Sequence, residues 1–210
     1  MEERKLNKDT LFMRVMSGKA AEGLKKEFPC DDVLDITVGY RWLNVQEDGI
    51  RTSEPLKAEQ LEKAELNRTE LFKLAQKNTG NLFKTRLYKL ADLVKRICEG
   101  CIAEDYMPGD GKLDQSEIYV CTNDSGMFGA AVMLMSDVLK NIAERLGGNI
   151  YILPSSIHEV IIVPQIEAYD LKMLYDTVKG VNETVVNESD YLSDSVYKYE
   201  LETGKFEIAA

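Results

Sequence analysis

The single histidine of the chain lies in a run of residues that have the chemistry of a hydrolase. Ser155 and Ser156 supply hydroxyl nucleophiles, His158 supplies a base, and Glu159 supplies a carboxylate that could orient the base. The partners in such a relay normally come from separate elements of the fold, however, and these four are neighbours in sequence. A tight turn whose side chains bond nearby backbone groups is therefore the favoured interpretation, with a catalytic site as the alternative.

A second polar turn, at Asn123, Asp124 and Ser125, is a candidate ligand-binding rim. Such side chains commonly bond their own backbone, and loops at one end of a sheet often carry binding sites. We expect a role in binding only if this turn lies at the same end of the sheet as residues 155–158.

An acidic loop resembles the second half of a calcium-binding EF-hand loop. Asp110, Asp114 and Glu117 fall at positions where oxygen ligands are expected, but the first and third ligand positions are occupied by Tyr106 and Pro108. With those two ligands missing, the sequence favours an acidic turn, and calcium binding stays the alternative.

Cys98 and Cys101 form a Cys-x-x-Cys motif, and Cys121 and His158 could complete a zinc site if the fold brought all four together. The motif follows a predicted helix. A redox pair instead uses a helix N-terminus, where the helix dipole lowers the thiol pKa. We therefore expect free thiols in a helix-end turn, and the sequence predicts no cofactor.

Composition limits the partners. The chain has 26 basic and 36 acidic residues, a net charge of −10, which disfavours binding to nucleic acid and to anionic membranes. The beginning of the chain shows no signal peptide, and the apolar runs at 130–135 and 160–164 are too short to span a bilayer. We expect a cytoplasmic protein.

In the first half of the chain, apolar periodicity and capping residues predict strands and short helices. Strands are expected at 11–16 and 34–43, helices at 18–28, 58–65, 68–77 and 88–99, and a polar turn region at 46–54. Asn67 and Glu70 have the spacing of a capping box for the helix that starts at Arg68.

In the second half, the pattern predicts two hairpins, each followed by a helix, and a terminal hairpin. Strands are expected at 118–122, 130–135, 150–153, 159–163, 196–201 and 206–208, helices at 136–146 and 166–179, and a solvated acidic loop at 183–194. This order predicts an α+β fold whose antiparallel sheet is built from hairpins, with helices mainly on one face. We expect a single domain over 1–210, with a possible subdivision into 1–105 and 106–210.

Four segments carry a resemblance to a known family: residues 119–124, 129–133, 138–147 and 151–160. They resemble the domain of unknown function 5688 family, which is found mainly in gut Firmicutes. The resemblance implies no nameable activity and no catalytic residues. Many relatives begin further upstream, which leaves open an N-terminal extension beyond this chain.

The sequence thus supports a binding or regulatory module that acts on a protein or a small molecule. The alternative is a hydrolase-like or metal-dependent enzyme centred on Ser155–His158. A homo-oligomer joined through an edge strand at 196–201 is a third possibility.

Overall fold

The computed structural model describes residues 7–45 and 51–210. The chain divides between Phe83 and Lys84 into two compact units. The N-terminal unit contains a four-stranded sheet and the C-terminal unit a six-stranded sheet, and every strand pairing in both is antiparallel. The predicted α+β class with antiparallel sheets is confirmed.

The N-terminal sheet is organised around one long strand. Its strands are β1 (Leu11–Ser17), β2 (Cys30–Val33), β3 (Ile36–Val45) and β4 (Arg51–Pro55). One edge of β3 pairs with β1, and the other edge is long enough to pair with both β2 and β4. The strand expected at 11–16 is confirmed, and the strand expected at 34–43 begins at Ile36, because residues 34 and 35 form a turn. The turn region expected at 46–54 is wrong for residues 51–54, which belong to β4, while residues 46–50 lie outside the described residues.

Among the described residues, three α-helices accompany this sheet, α1 (Gly18–Ala21), α2 (Ala58–Lys63) and α3 (Arg68–Leu82), and a 3-10 helix, Lys8–Thr10, precedes β1. The predicted capping box is confirmed, because Asn67 Oδ1 accepts from the Glu70 N–H at 3.0 Å and Glu70 Oε2 accepts from the Asn67 N–H at 2.9 Å. The helix expected at 18–28 is shorter than predicted, and turns follow it as far as Phe28.

The C-terminal sheet has the strand order β10-β9-β7-β8-β6-β5. Its strands are β5 (Thr85–Lys89), β6 (Tyr119–Asn123), β7 (Ile150–Pro154), β8 (Val160–Pro164), β9 (Tyr197–Tyr199) and β10 (Phe206–Ile208). The terminal hairpin is confirmed. β9 pairs with β7 as well as with β10, so the expectation that 196–201 is an edge strand is wrong.

The helices of this unit are α4 (Leu90–Glu99), α5 (Ser136–Leu146) and α6 (Leu171–Thr184). α5 has the bounds predicted from the sequence, and Gly147 ends it in the left-handed conformation. The helix expected at 166–179 starts later, because Asp170 caps it by accepting from the Met173 N–H. Gly180 lies inside α6 and does not end it.

The strand expected at 130–135 is wrong. Residues Gly129–Leu134 form a 3-10 helix in which all six residues are buried. The prediction was wrong because the apolar run at 130–135 has no periodicity, and such a run is compatible with either a buried strand or a buried helix. The first predicted hairpin therefore does not exist, and β6 pairs instead with β5 and β8.

The middle of the six-stranded sheet is covered on both faces, since every residue of β7 is buried although successive side chains point to opposite faces. α6 covers one face through an apolar cluster: Tyr151, Leu153, Val163, Leu174, Val178 and Val196. In the described part of the chain, no helix has the length and apolar content needed to cross a membrane.

Candidate functional site

A cleft opens at the end of the C-terminal sheet where β5 and β6 lie side by side. Arg86 and Tyr88 on β5 are directly opposite Thr122 and Val120 on β6, so these four side chains share one face of the sheet. The cleft has a volume of about 460 Å³. It is lined by Arg86, Tyr88, Leu93, Arg96, Val120, Thr122, Asn123, Asp124, Ser125, Gly126 and Glu159.

The rim of the cleft is a turn held by its own side chains. Asn123 Oδ1 accepts from the backbone N–H of Ser125 at 3.0 Å and from its hydroxyl at 2.7 Å, and Asn123 Nδ2 donates to the Met127 carbonyl at 2.9 Å. Asp124 is bound to Lys84 through its backbone N–H and its carboxylate. The turn is therefore held in this conformation by hydrogen bonds within the protein.

One wall is stabilised by an ion pair that sequence reasoning missed. Arg86 Nη1 lies 2.7 Å from Asp105 Oδ2, and Asp105 Oδ1 accepts from the N–H groups of Leu87 and Met107. Burial raises the pKa of Asp105, but these donors outweigh burial and the pKa lies below its ordinary value. The Tyr106 N–H donates to the Leu87 carbonyl at 2.7 Å, so this segment also covers the outer edge of β5.

The two predicted polar turns meet beside the cleft. The Thr122 hydroxyl donates to the His158 carbonyl at 2.8 Å, and Glu159 lines the same cleft as the Asn123–Gly126 turn. Gly129 passes so close that a Cβ atom there would lie 2.3 Å from the His158 carbonyl oxygen and 2.4 Å from Thr122 Oγ1. The expected proximity of the two turns is present in the structure.

The contacts of His158 do not support a nucleophile–base relay. Its Nδ1 accepts from the Phe128 N–H at 3.2 Å, and its Nε2 lies 3.7 Å from Asp190 Oδ1. The Ser156 hydroxyl accepts from the backbone N–H of His158, and the acid beside the ring is Asp190, not Glu159. The imidazole thus anchors Phe128, which has a left-handed backbone with φ of 56°.

Asp190 was missed because the acidic stretch around it predicted a solvated loop. Its carbonyl accepts from the Ile157 N–H at 2.9 Å, which ties that loop to the turn containing half-buried Ser155. Because thirty-two residues separate His158 from Asp190 (190 − 158), no local spacing could reveal the contact.

The acidic loop uses its carboxylates within the protein. Asp114 Oδ1 accepts from the backbone N–H and the hydroxyl of Ser116, which lowers the pKa of Asp114. Glu117 pairs with Lys89 at 3.2 Å, and Asp110 is exposed. Within residues 7–45 and 51–210, no group of three or more His, Cys, Asp or Glu residues could hold a metal ion.

The four cysteines are free thiols and do not assemble into a zinc site. Cys98 and Cys101 are exposed at and beyond the end of α4, and Cys101 Sγ lies 3.8 Å from Glu99 Oε2. Cys121 is fully buried in β6, and burial raises the pKa of its thiol to about 12. It therefore stays protonated, whereas zinc binds thiolates.

α4 also exposes part of its apolar face. The predicted amphipathic helix at 88–99 is confirmed from Leu90 onward, but none of its residues is buried. Val94 is 52% exposed, Ile97 84%, and Ile102 just beyond the helix 96%. Leu93 and Arg96 of the same helix line the cleft.

The protein is thus an α+β protein with antiparallel sheets and a polar cleft at one end of its C-terminal sheet. The model of DUF5688, a family of unknown function, matches residues 1–201. The chain belongs to this family, which confirms the resemblance seen in its sequence. No curated protein and no solved structure matches it.

Proposed function

We propose that the chain is a binding module and that the cleft beside β5 and β6 holds a small polar ligand bearing both an acidic and a basic group. The observation that carries this proposal is the convergence of two cations and two carboxylates, Arg86, Arg96, Asp124 and Glu159, on one cleft. A ligand with a single charge would pair with only one of the two sets.

The size of the cleft supports a small molecule or the end of a peptide. Its volume of about 460 Å³ falls in the range of ligand pockets, about 300–1,000 Å³. Val120, which is buried, and Tyr88 and Leu93, which are half-buried, give the cleft an apolar part of its lining. The turn at Asn123 adds amide and hydroxyl groups that could orient the ligand.

The two arginines of the cleft differ in how firmly the protein holds their side chains. Arg86 is oriented by Asp105, whereas Arg96 is exposed on α4. We propose that Arg86 and Arg96 bind the acidic group of the ligand, because arginine forms directed hydrogen bonds with carboxylates and phosphates. Glu159 and Asp124 then bind the basic group.

We further propose that the module acts in the cytoplasm and not on nucleic acid. Free thiols at Cys30, Cys98, Cys101 and Cys121 suit a reducing compartment, and the net charge of −10 opposes binding to phosphate backbones.

Calorimetric titration with a panel of amino acids and dipeptides tests the proposal. Each compound is paired with its N-acetylated form, which lacks the basic group, and its C-amidated form, which lacks the acidic group. We expect the unmodified compounds to bind tightest. Arg96→Gln and Glu159→Gln should each weaken binding about tenfold, the loss of one charge-assisted hydrogen bond.

Lys172→Gln is the matched control, because Lys172 is exposed on α6, away from the lining of the cleft, and forms an i,i+4 pair with Asp176. The proposal fails if the blocked compounds bind as well as the unmodified ones, or if Lys172→Gln weakens binding as much as Arg96→Gln.

A second candidate is a protein partner docked on α4, which the exposure of Ile97 and Ile102 favours. Sedimentation velocity over a hundredfold concentration range tests whether that partner is a second copy of the chain. If a second copy covers the helix, a dimer forms and Ile97→Glu abolishes it. A concentration-independent monomer excludes that partner.

A further inference from the structure

The strand register divides the sheet face of the cleft into a polar row and an apolar row of side chains. In the polar row, Arg86 on β5 is directly opposite Thr122 on β6. Glu159 immediately precedes β8, the next strand of the sheet, and lines the same cleft. The polar row therefore carries a cation on β5 and a carboxylate beside β8.

The apolar row lies two residues further along the same strands. Tyr88 is directly opposite Val120, and Val120 is directly opposite Ile161, so the three share a face of the sheet. Two residues of a strand span about 7 Å, which separates this row from the polar row. Tyr88 and Val120 line the cleft, whereas Ile161 packs against the apolar cluster that α6 covers. The apolar row thus connects the cleft with the core.

A third apolar side chain of the cleft comes from α4. Leu93 lines the cleft together with Tyr88, and both are half-buried. Because Leu93 belongs to a helix and Tyr88 to a strand, a ligand group in the cleft can contact apolar atoms from two different elements.

The two rows bind different parts of a ligand. A molecule with only an acidic and a basic group would satisfy the charged residues and leave Tyr88, Leu93 and Val120 facing water. A side chain attached to that molecule has to extend along the strands to reach the apolar row. The side chain of phenylalanine spans most of this distance and that of alanine does not. An aromatic ring can also make an offset or edge contact with the ring of Tyr88.

We propose that the cleft is selective for amino acids or dipeptides with a large apolar side chain, an aromatic one above all, and that Tyr88 and Leu93 determine this specificity. The inference rests on the proposed function, because the charged groups of the same ligand bind the charged residues of the cleft.

Calorimetric titration with dipeptides that share their terminal charges tests the inference. Glycyl-phenylalanine and phenylalanyl-glycine offer the aromatic side chain at either position, and glycyl-glycine lacks it. We expect the tighter of the two aromatic dipeptides to bind at least about tenfold more tightly than glycyl-glycine, because it removes a large apolar side chain from water. Glycyl-aspartate should bind no more tightly than glycyl-glycine, since its extra charge would lie against apolar side chains.

Variants of the apolar lining are compared by the ratio of the two affinities, aromatic dipeptide over glycyl-glycine. A general loosening of the cleft would weaken both dipeptides and leave this ratio unchanged. We expect Leu93→Ala to lower the ratio about threefold or more, Tyr88→Ala to lower it further, and Tyr88→Phe, which keeps the ring, to preserve it. Val94→Ala is the matched control on α4, because Val94 is 52% exposed.

The outcomes separate this inference from the proposed function. Equal affinities for the aromatic dipeptides and glycyl-glycine, with their blocked forms still weaker, would overturn the inference and leave the proposed function standing. An unchanged ratio in Leu93→Ala would overturn the assignment of specificity, even if Tyr88→Ala does not fold. Absence of binding by every dipeptide would overturn both. Circular dichroism checks the fold of each variant.

Discussion

The cleft of the C-terminal unit and a pocket on one face of the N-terminal sheet differ in the charged residues that line them. In the cleft, Arg86 is already matched by Asp105, and further charges of both signs line the walls. The lining of the pocket includes Arg14, Cys30, Gly39 and Arg41, and Arg14 lowers the pKa of Arg41 whereas Glu54 raises it. The walls of the cleft thus present charges of both signs, whereas the charged side chains that line the pocket are two arginines.

The two sites also differ in what surrounds them. Beside the cleft, Gly129 meets the backbone of His158 and Asn123, which cannot move independently of the sheet. In the pocket, Gly39 meets the flexible end of Met16. We infer that the surroundings of the cleft are the more rigid of the two, and the following predictions test this difference.

The largest effect is expected for Gly129→Ala. Its Cβ would lie 2.3 Å from the His158 carbonyl oxygen and 3.0 Å from the Asn123 nitrogen, so backbone segments would have to separate. We expect a loss of about 3 kcal/mol in the free energy of unfolding, the upper end for overpacking. Urea denaturation followed by circular dichroism measures it.

Two controls complete this test. Gly39→Ala should cost only about 1 kcal/mol, because the Met16 methyl group can move. Gly148→Ala should be close to neutral, since nothing lies within 4 Å of its added Cβ. Equal losses for Gly129→Ala and Gly39→Ala would remove the contrast in rigidity.

His158→Ala is expected to cost about 2 kcal/mol, because the Phe128 N–H loses its acceptor. His158→Asn should cost less, since the asparagine carbonyl oxygen takes nearly the position of Nδ1. Chemical denaturation of both variants measures the difference. If His158→Asn and His158→Ala are equally unstable, the Phe128 contact contributes nothing.

These contacts show how far the sequence could predict the site. The polar turns at 123–126 and 155–159 were visible because Asn, Asp, Ser and Gly have distinctive turn chemistry. The pair of Arg86 and Asp105 was not visible in the sequence, because nineteen residues separate the two and neither lies in a motif. Long-range pairing depends on the strand order, which local patterns do not encode.

The same contrast between local and long-range signals explains which strands and helices were predicted. The strand containing Val38 and Tyr40 was predicted because one of its faces is apolar, and the helix after Asn67 because its cap is local. β5 was missed because only Leu87 of its five residues is buried. The buried 3-10 helix at Gly129–Leu134 was mistaken for a strand because its apolar run has no period.

Asp105→Asn is expected to lose about 1 kcal/mol at pH 7, because the Arg86 pair and the charge on the acceptor of the Leu87 N–H are lost. The folded pKa of Asp105 lies below its unfolded value. Its contribution is therefore fully present above the unfolded pKa of about 4 and is lost as the pH falls through the folded pKa.

Urea denaturation of the wild type and of Asp105→Asn from pH 7 to pH 2 checks the sign. The difference between the two proteins should shrink as the pH falls below about 5. A difference that stays constant over this range would contradict the ionic contribution of Asp105.

The smallest effect is expected for helical glycines with open space around them. Gly80→Ala in α3 and Gly180→Ala in α6 should each stabilise their unit by about 0.5–1 kcal/mol, because nothing lies within 4 Å of either added Cβ. Trp42 is the single tryptophan and is buried in the N-terminal sheet, so its fluorescence follows that unit. Gly80→Ala should shift this transition, and no shift would contradict the open environment of Gly80.

The most direct test of the proposed function is to map ligand contacts residue by residue. Amide chemical shifts of the ¹⁵N-labelled protein are recorded while the tightest-binding dipeptide of the panel is added. We expect saturable shifts centred on Thr122–Gly126, the β5 residues around Arg86, and Arg96 on α4, with the N-acetylated and C-amidated forms needing higher concentrations to saturate the same positions. Shifts confined to other surfaces, or none at millimolar concentrations of every dipeptide, would contradict the assignment of the cleft as the binding site.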